Sequence, residues 1–183
     1  MNTNRLSKTL TAALNTQITK EATAAQIYLS YAAWADGHGM AGAANFLFRH
    51  ANEERNHMMK ILEYILKRGG NVIISAIPAP PVDPISINNC FEKVFAHEVD
   101  NTKAVYKIAR LSFDEEDWAT WNFMQWFVKE QTEEEMLVMN LLNKMKIAGG
   151  EKISNEALYS LDRDLENTPG DSRFAQDVTA ENP

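Results

Sequence analysis

Apolar side chains recur every three or four residues along most of this chain, and strand-like alternation of apolar and polar residues is almost absent. A period near 3.6 residues is typical of amphipathic helices that pack around a common core. The pattern therefore predicts an all-α fold. The five predicted helices, in chain order, cover about 6–36, 41–67, 87–111, 114–147 and 155–166.

Residues that stop or start helices lie at the ends of these ranges. Gly39 follows the first predicted helix and Gly69 the second, and glycine tolerates the left-handed backbone of a helix end. Ser86 is a predicted N-cap of the third helix, and either Asp114 or Asp117 of the fourth. Four prolines occur within 71–85, so this stretch is predicted to be a long non-helical connection.

The length of that connection favours one arrangement of the helices. About 15 residues reach roughly 50 Å when extended, which is enough to return along a second helix of roughly 40 Å. The second and third helices can then run parallel, as in a four-helix bundle with one long crossover. We expect a single domain over 1–183, with the bundle at about 5–148, the short fifth helix at 155–166 and a polar tail at 170–183.

Glutamates interrupt the apolar stripe of each long helix, and these four are Glu21, Glu54, Glu98 and Glu134. Two of them have a polar partner one turn away, His57 after Glu54 and Gln131 before Glu134. Equal spacing from the helix turns predicts that all four lie at mid-height of the bundle. Buried carboxylates without a cationic partner are costly, so a positive group is expected among them.

Composition narrows the identity of that positive group. The 183 residues carry a formal net charge of -7 and a single cysteine, Cys90. The negative charge argues against a nucleic-acid partner, and one cysteine excludes an internal disulfide or a thiolate cluster within the chain. The sequence has no apolar run of membrane-spanning length and no signal peptide, which predicts a cytoplasmic protein without a membrane partner. Carboxylates and an imidazole suit iron, manganese or zinc, and four carboxylates balance two divalent ions better than one.

The combined motifs resemble the bacterial non-haem ferritins over about residues 5–166. The resemblance rests on Glu54-x-x-His57, on a lone glutamate in each of the first and third helices, and on the segment 126–135. It implies a ferroxidase that oxidises Fe(II) with dioxygen or peroxide. It also implies storage of the ferric product as a mineral inside a hollow shell of 24 identical subunits.

The same resemblance assigns roles to individual residues. A first iron would be held by Glu21, Glu54 and His57, with Glu54 bridging to a second iron held by Glu98 and Glu134. Gln131 stands where haem-containing bacterioferritins have histidine, which makes it a near-site residue or a weak ligand. A third iron site is implied at the following residues: Glu53, Glu130, Glu133 and Glu134. Tyr28 matches a tyrosine beside the centre that could supply an electron.

Two features of related ferritins are absent from this sequence. Bacterioferritins bind haem through a methionine where this chain has Arg55, so no haem is predicted. Animal ferritins carry an acidic pair at their three-fold pores where this chain has Trp121 and Met124, so iron entry by that route is not expected.

Other interpretations remain open on the sequence alone. The chain could form a storage shell with a slow centre, or it could be a di-metal oxidoreductase of the wider ferritin-like class. Tyr28 could be an ordinary core residue, and the third-site glutamates could serve solubility alone. The remaining histidines, His38, His50 and His97, are interpreted as structural or surface residues.

Overall fold

The computed structural model describes residues 3–166, and within that span it contains helices and no strands. The five α-helices are α1 (Lys8–Gly37), α2 (Ala41–Lys67), α3 (Ile87–Asp114), α4 (Trp118–Ile147) and α5 (Asn155–Glu166). A single 3-10 turn, Gly150–Lys152, precedes α5. The prediction of an all-α fold with four long helices and a short fifth is confirmed.

Side-chain caps define where three of the long helices begin. Ser7 Oγ accepts a hydrogen bond from the Leu10 amide (2.9 Å), and Ser86 Oγ accepts one from the Asn89 amide (3.0 Å). Asp117 caps α4 through the backbone amide of Thr120, whereas Asp114 is the last residue of α3. The third helix therefore extends three residues beyond its predicted end.

The long connection between α2 and α3 carries the chain back along the bundle. Phe46, near the start of α2, packs edge-on against Phe91, near the start of α3, with ring centroids 5.5 Å apart. Residues near the ends of the same two helices, Ile65 and Ile108, share a second apolar cluster. The two helices are thus parallel, and the predicted crossover topology is confirmed.

Two apolar clusters form the core, one in each half of the bundle. The first contains residues such as Tyr28, Phe46 and Leu141 and extends to Leu161 and Leu165 of α5. The second contains the following residues: Leu10, Leu14, Ile61, Val105, Met124 and Phe127. Between them, at mid-height, the buried side chains are polar, so the bundle has a polar layer in its centre.

The short α5 caps a helix that has no cap of its own. Met40 precedes α2 without a side-chain hydrogen bond, and Asp162 instead accepts from the backbone amides of Gly42 (3.0 Å) and Ala43 (2.8 Å). A Cβ at Gly42 would collide with the Asp162 carbonyl oxygen, so this close approach requires glycine. The predicted polar tail at 170–183 lies outside the described residues. No helix in 3–166 is long and apolar enough to cross a membrane.

Candidate metal centre

Glu21, Glu54 and His57 meet in the polar layer, as their positions on the apolar stripes predict. One ligand atom from each lies within 4.8 Å of the other two, and all three residues are buried. His57 Nδ1 is 3.7 Å from Glu54 Oε2, one turn away on α2. Two carboxylates and an imidazole from two neighbouring helices therefore surround a space of the size that a metal ion occupies.

Two atoms of this group lack a hydrogen-bond partner. Among the described residues, Glu54 Oε2 and His57 Nδ1 are buried and make no hydrogen bond. Burial lowers the pKa of His57, which leaves a neutral imidazole with a free lone pair. Burial and the neighbouring Glu98 and Glu21 carboxylates raise the pKa of Glu54 well above its usual value. A bound cation would stabilise the Glu54 carboxylate and accept the imidazole lone pair.

Glu98 and Tyr28 form the next part of the layer. The Tyr28 hydroxyl donates a hydrogen bond to Glu98 Oε1, and Gln131 Nε2 donates to Glu98 Oε2 at 3.2 Å. Burial, followed by the charge of Glu98, raises the pKa of Tyr28 well above 10, so the phenol is neutral at physiological pH. Tyr28 is thus a buried hydrogen-bond donor to a candidate ligand as well as a member of the apolar cluster.

Two buried amides beside Glu21 were not identified from the sequence. Gln17 Nε2 lies 2.7 Å from Glu21 Oε1, and Asn101 Nδ2 lies 3.2 Å from Glu21 Oε2. Gln17 is one turn before Glu21 on α1, and Asn101 is one turn after Glu98 on α3. A polar residue one turn from an interrupting glutamate is the signal that could have found them, as it does for the polar partners on α2 and α4.

A second group of ligand-type side chains lies at His50, Glu53 and Glu134. His50 Nδ1 is 2.9 Å from Glu53 Oε2 and 3.4 Å from Glu134 Oε2. Burial lowers the pKa of His50, but the charges of Glu134 and Glu53 outweigh it and raise that pKa to about 9. Of the two interpretations of His50, structural or surface, the surface one is wrong, because the residue is 4% exposed and lies between two carboxylates.

The remaining third-site candidates behave differently from each other. Glu130 is buried, its Oε1 is 3.9 Å from His57 Nε2, and burial together with Glu133 and Glu53 raises its pKa to about 7. Glu133 is half-buried and belongs to neither group of ligand atoms found within 3–166. The structure brings Glu53, Glu130 and Glu134 into the layer and leaves Glu133 at its edge.

Other positions singled out from the sequence lie away from the layer. Arg55 is exposed, and His38 is exposed with its Nδ1 2.7 Å from the Trp34 carbonyl oxygen. Trp121 is at the surface, but Met124 is fully buried in the second apolar cluster. Met124 therefore faces the bundle core and cannot line a pore between subunits.

Comparisons with known proteins agree with this architecture. The family model "Ferritin-like domain" matches residues 11–148. A bacterial non-heme ferritin of Campylobacter jejuni is 35% identical over 162 residues, covering 88% of this chain and 95% of the relative. One of Staphylococcus epidermidis is 43% identical over 130 residues, covering 71% and 78%. A solved open-pore ferritin from Archaeoglobus fulgidus is 36% identical, with a TM-score of 0.85 over 90% of this chain and 99% of that one.

A four-helix bundle with a carboxylate and histidine layer at its centre defines a ferritin-like metalloprotein. The chain belongs to the ferritin family. Iron is accordingly the metal it binds, and its function is iron storage with ferroxidase activity.

Proposed function

We propose that this protein oxidises Fe(II) at a di-iron centre built within each subunit. Glu21, Glu54 and His57 would hold the first iron, and Glu54 would bridge to a second iron held by Glu98 and Glu134. The observation that carries this proposal is the set of buried ligand atoms within 4.8 Å of one another on α1 and α2. The partnerless Glu54 Oε2 and His57 Nδ1 support it, since both are atoms that bind divalent iron.

The chemistry at such a centre is the transfer of one electron from each of two Fe(II) ions. The two electrons and two protons reduce dioxygen to hydrogen peroxide, or hydrogen peroxide to water. Buried carboxylates favour the product, because they stabilise Fe(III) more than Fe(II) through their negative charge. Tyr28, hydrogen-bonded to Glu98, would orient that carboxylate.

The group formed by His50, Glu53 and Glu134 is proposed as the third iron site, with Glu130 beside it. It shares Glu134 with the di-iron centre, which provides a short path for iron leaving that centre. His50 is an addition to the set expected from the sequence. Glu133 is kept as an outer residue of this path, since it lies beside Glu130 and raises that group's pKa.

The ferric product is proposed to form a mineral inside a closed homo-oligomer, with 24 subunits as the expected number. Large apolar side chains are exposed on the isolated subunit, and the crossover contributes several of them: Ile73, Ile74, Val82 and Ile85. Exposed apolar groups of this kind favour burial between subunits. Native mass spectrometry of the 20.7 kDa chain tests this part separately, and a stable monomer under all conditions would contradict it. The cytoplasmic location stays a prediction.

Substitution of two ligands tests the di-iron centre. Glu54→Ala and His57→Ala should each abolish rapid aerobic Fe(II) oxidation, followed by absorbance of the ferric product, while the oligomer remains assembled. Glu63→Ala is the matched control, because Glu63 lies on the same helix and its exposed side chain pairs only weakly with Lys67. Oxidation at the wild-type rate in both ligand variants would refute the assignment.

A further inference from the structure

A chain of buried amides connects the two sides of the polar layer. Gln17 Nε2 donates to Glu21 Oε1 (2.7 Å) and to Asn101 Oδ1 (2.6 Å). Asn101 Nδ2 donates to Glu21 Oε2 (3.2 Å) and to Gln131 Oε1 (3.3 Å). Gln131 Nε2 donates to Glu98 Oε2 (3.2 Å). The three amides are each 1% exposed, so no solvent competes for these bonds.

The carboxylates at the two ends determine which way every amide points. A carboxylate offers only acceptor atoms, so Gln17 and Asn101 must both present their NH2 groups to Glu21. Asn101 then donates its second N–H to Gln131, and the oxygen of Gln131 must accept this hydrogen bond. The nitrogen of Gln131 is thereby directed at Glu98, itself an acceptor. A flip of any one amide would place two donors or two acceptors against each other at a buried position.

We propose that Gln17 and Asn101 are positioning residues for the first metal ion, and that they make Gln131 a hydrogen-bond donor to Glu98 instead of a metal ligand. Both oxygens of Glu21 receive a donor before any metal arrives, which fixes the orientation of the carboxylate beside Glu54 and His57. The oxygen of Gln131, its only metal-binding atom, accepts a hydrogen bond from Asn101, and its nitrogen, which cannot bind a metal, is directed at the candidate ligand Glu98. This inference rests on the proposed di-iron centre and adds residues from α1 and α3 that do not touch the metal.

Binding of redox-inert metals to the assembled, metal-free protein tests the proposal without requiring oxidation. Asn101→Leu and Gln17→Met replace each amide by an apolar side chain of similar volume. Asn15→Leu is the matched control. Asn15 is also a buried amide on α1, but it bonds to the carbonyl oxygen of Asn71 and to the Ile73 amide, away from the metal centre.

Isothermal titration with Zn(II) should show the tightest site weakened by about 10-fold to 100-fold in Asn101→Leu and about 10-fold in Gln17→Met, the range typical of lost outer-shell partners. The visible absorption bands of bound Co(II) should change in both variants, because they report the geometry of the ligands. Asn15→Leu should bind both metals like the wild type. If Gln17 and Asn101 had only a structural role, Asn15→Leu would change metal binding as much as Gln17→Met and Asn101→Leu do.

The possible outcomes separate the positioning role from the metal centre itself. Unchanged Zn(II) affinity and unchanged Co(II) bands in a folded variant would overturn the positioning role. If Asn101→Leu does not fold, the metal binding of Gln17→Met tests the positioning role instead. This variant removes only the two hydrogen bonds that Gln17 donates, to Glu21 and to Asn101. A wild-type protein that binds neither metal tightly would refute the proposed centre.

A crystal structure with Zn(II) tests the role of Gln131. If Gln131 were a ligand, its oxygen would lie at about 2.0–2.2 Å from the metal. Such a distance would overturn the assignment of Gln131 as a hydrogen-bond donor to Glu98.

Discussion

Two halves of the same polar layer hold their carboxylates in different ways. On one side, neutral amides donate to both oxygens of Glu21. On the other side, His50 lies between Glu53 and Glu134, and its protonated imidazole provides a positive charge. The first arrangement leaves a carboxylate ready for metal. The second contains a cationic histidine, whose proton a metal ion must displace.

The pKa values express this difference. Burial raises the pKa of Glu134 to about 8, although the neighbouring His50 acts to lower it. The pKa of His50 itself is raised to about 9 and that of Glu130 to about 7. Near neutral pH in the metal-free protein, His50 is therefore protonated, Glu130 is about half protonated, and Glu134 competes with His50 for a proton. The pKa of Glu54, beside Glu21, is raised by burial as well, so a proton must leave the amide side too, and the difference between the sides is the cationic His50. We expect the side of Glu21 to accept iron first, because His57 there is neutral.

The largest expected effect comes from removing the positive group of the histidine side. His50→Leu leaves the buried carboxyl groups of Glu53 and Glu134 close together without their hydrogen-bonding partner, and an unsatisfied buried polar group costs about 1–3 kcal/mol of unfolding free energy. Thermal or denaturant unfolding of the metal-free protein at pH 7 measures the loss. Adding Glu134→Gln to the same chain should restore much of it. His38→Leu, at an exposed histidine, is the control, and an equal loss there would contradict this explanation.

A second prediction concerns the pH dependence of the metal-free protein. Carboxyl groups have a pKa near 4.5 when unfolded, whereas the pKa values of Glu130 and Glu134 are about 7 and 8 when folded. Between these values the folded state binds more protons, so the stability that the two groups contribute is greatest at low pH and falls as pH rises to about 8. A tenfold difference in proton affinity between the two states corresponds to about 1.4 kcal/mol.

The raised pKa of His50 also makes the folded state less stable as pH rises, over a different pH interval. Its pKa rises from 6.5 when unfolded to about 9 when folded, so its contribution is present below 6.5 and is lost as pH rises to 9. Melting temperatures between pH 5 and 9 test the sign. Glu134→Gln should flatten the profile, and a wild-type protein that became more stable over this interval would contradict the assignment.

A third, smaller effect separates the two sides by metal binding. Glu53→Gln removes a ligand from the histidine side only, so we expect the weakest of three Zn(II) ions to be lost or weakened about 10-fold. The initial rate of Fe(II) oxidation should stay within about two-fold of the wild type, since the di-iron ligands are unchanged. Glu63→Gln on the same helix is the control. Loss of the tightest Zn(II) ion in Glu53→Gln would show that the two sides are not separable.

The smallest effect is expected at Glu133. Its half-buried side chain contributes no atom to either group of candidate ligands. Glu133→Ala should change the unfolding free energy by less than about 0.5 kcal/mol, as is usual for surface positions. Zn(II) stoichiometry should also match the wild type. If this variant bound one Zn(II) ion fewer than the wild type, Glu133 would be a ligand of the third metal site.

Much of the fold could be predicted from the local spacing of apolar and polar residues. The period of the apolar stripes predicted α1 to α5. The interruption of those stripes predicted that four glutamates would be buried together at mid-height: Glu21, Glu54, Glu98 and Glu134. Both are properties of residues within a few turns of each other. His50 was missed although Glu53 lies one turn away on α2, because His50 does not stand on the apolar stripe as read from the sequence and its second partner, Glu134, comes from α4. The cap that Asp162 provides to α2 was missed for the same reason, since the two segments are joined only by docking of α5.

The sequence by itself determined an all-helical bundle with acids at mid-height, because helical periodicity decides which side chains face inward. Only the tertiary structure decided how those acids are held. The direction of the amides at Gln17, Asn101 and Gln131, and the position of His50 between Glu53 and Glu134, depend on polar atoms brought within about 3 Å from separate helices. Such distances are set by the packing of the helices, and no local pattern specifies them.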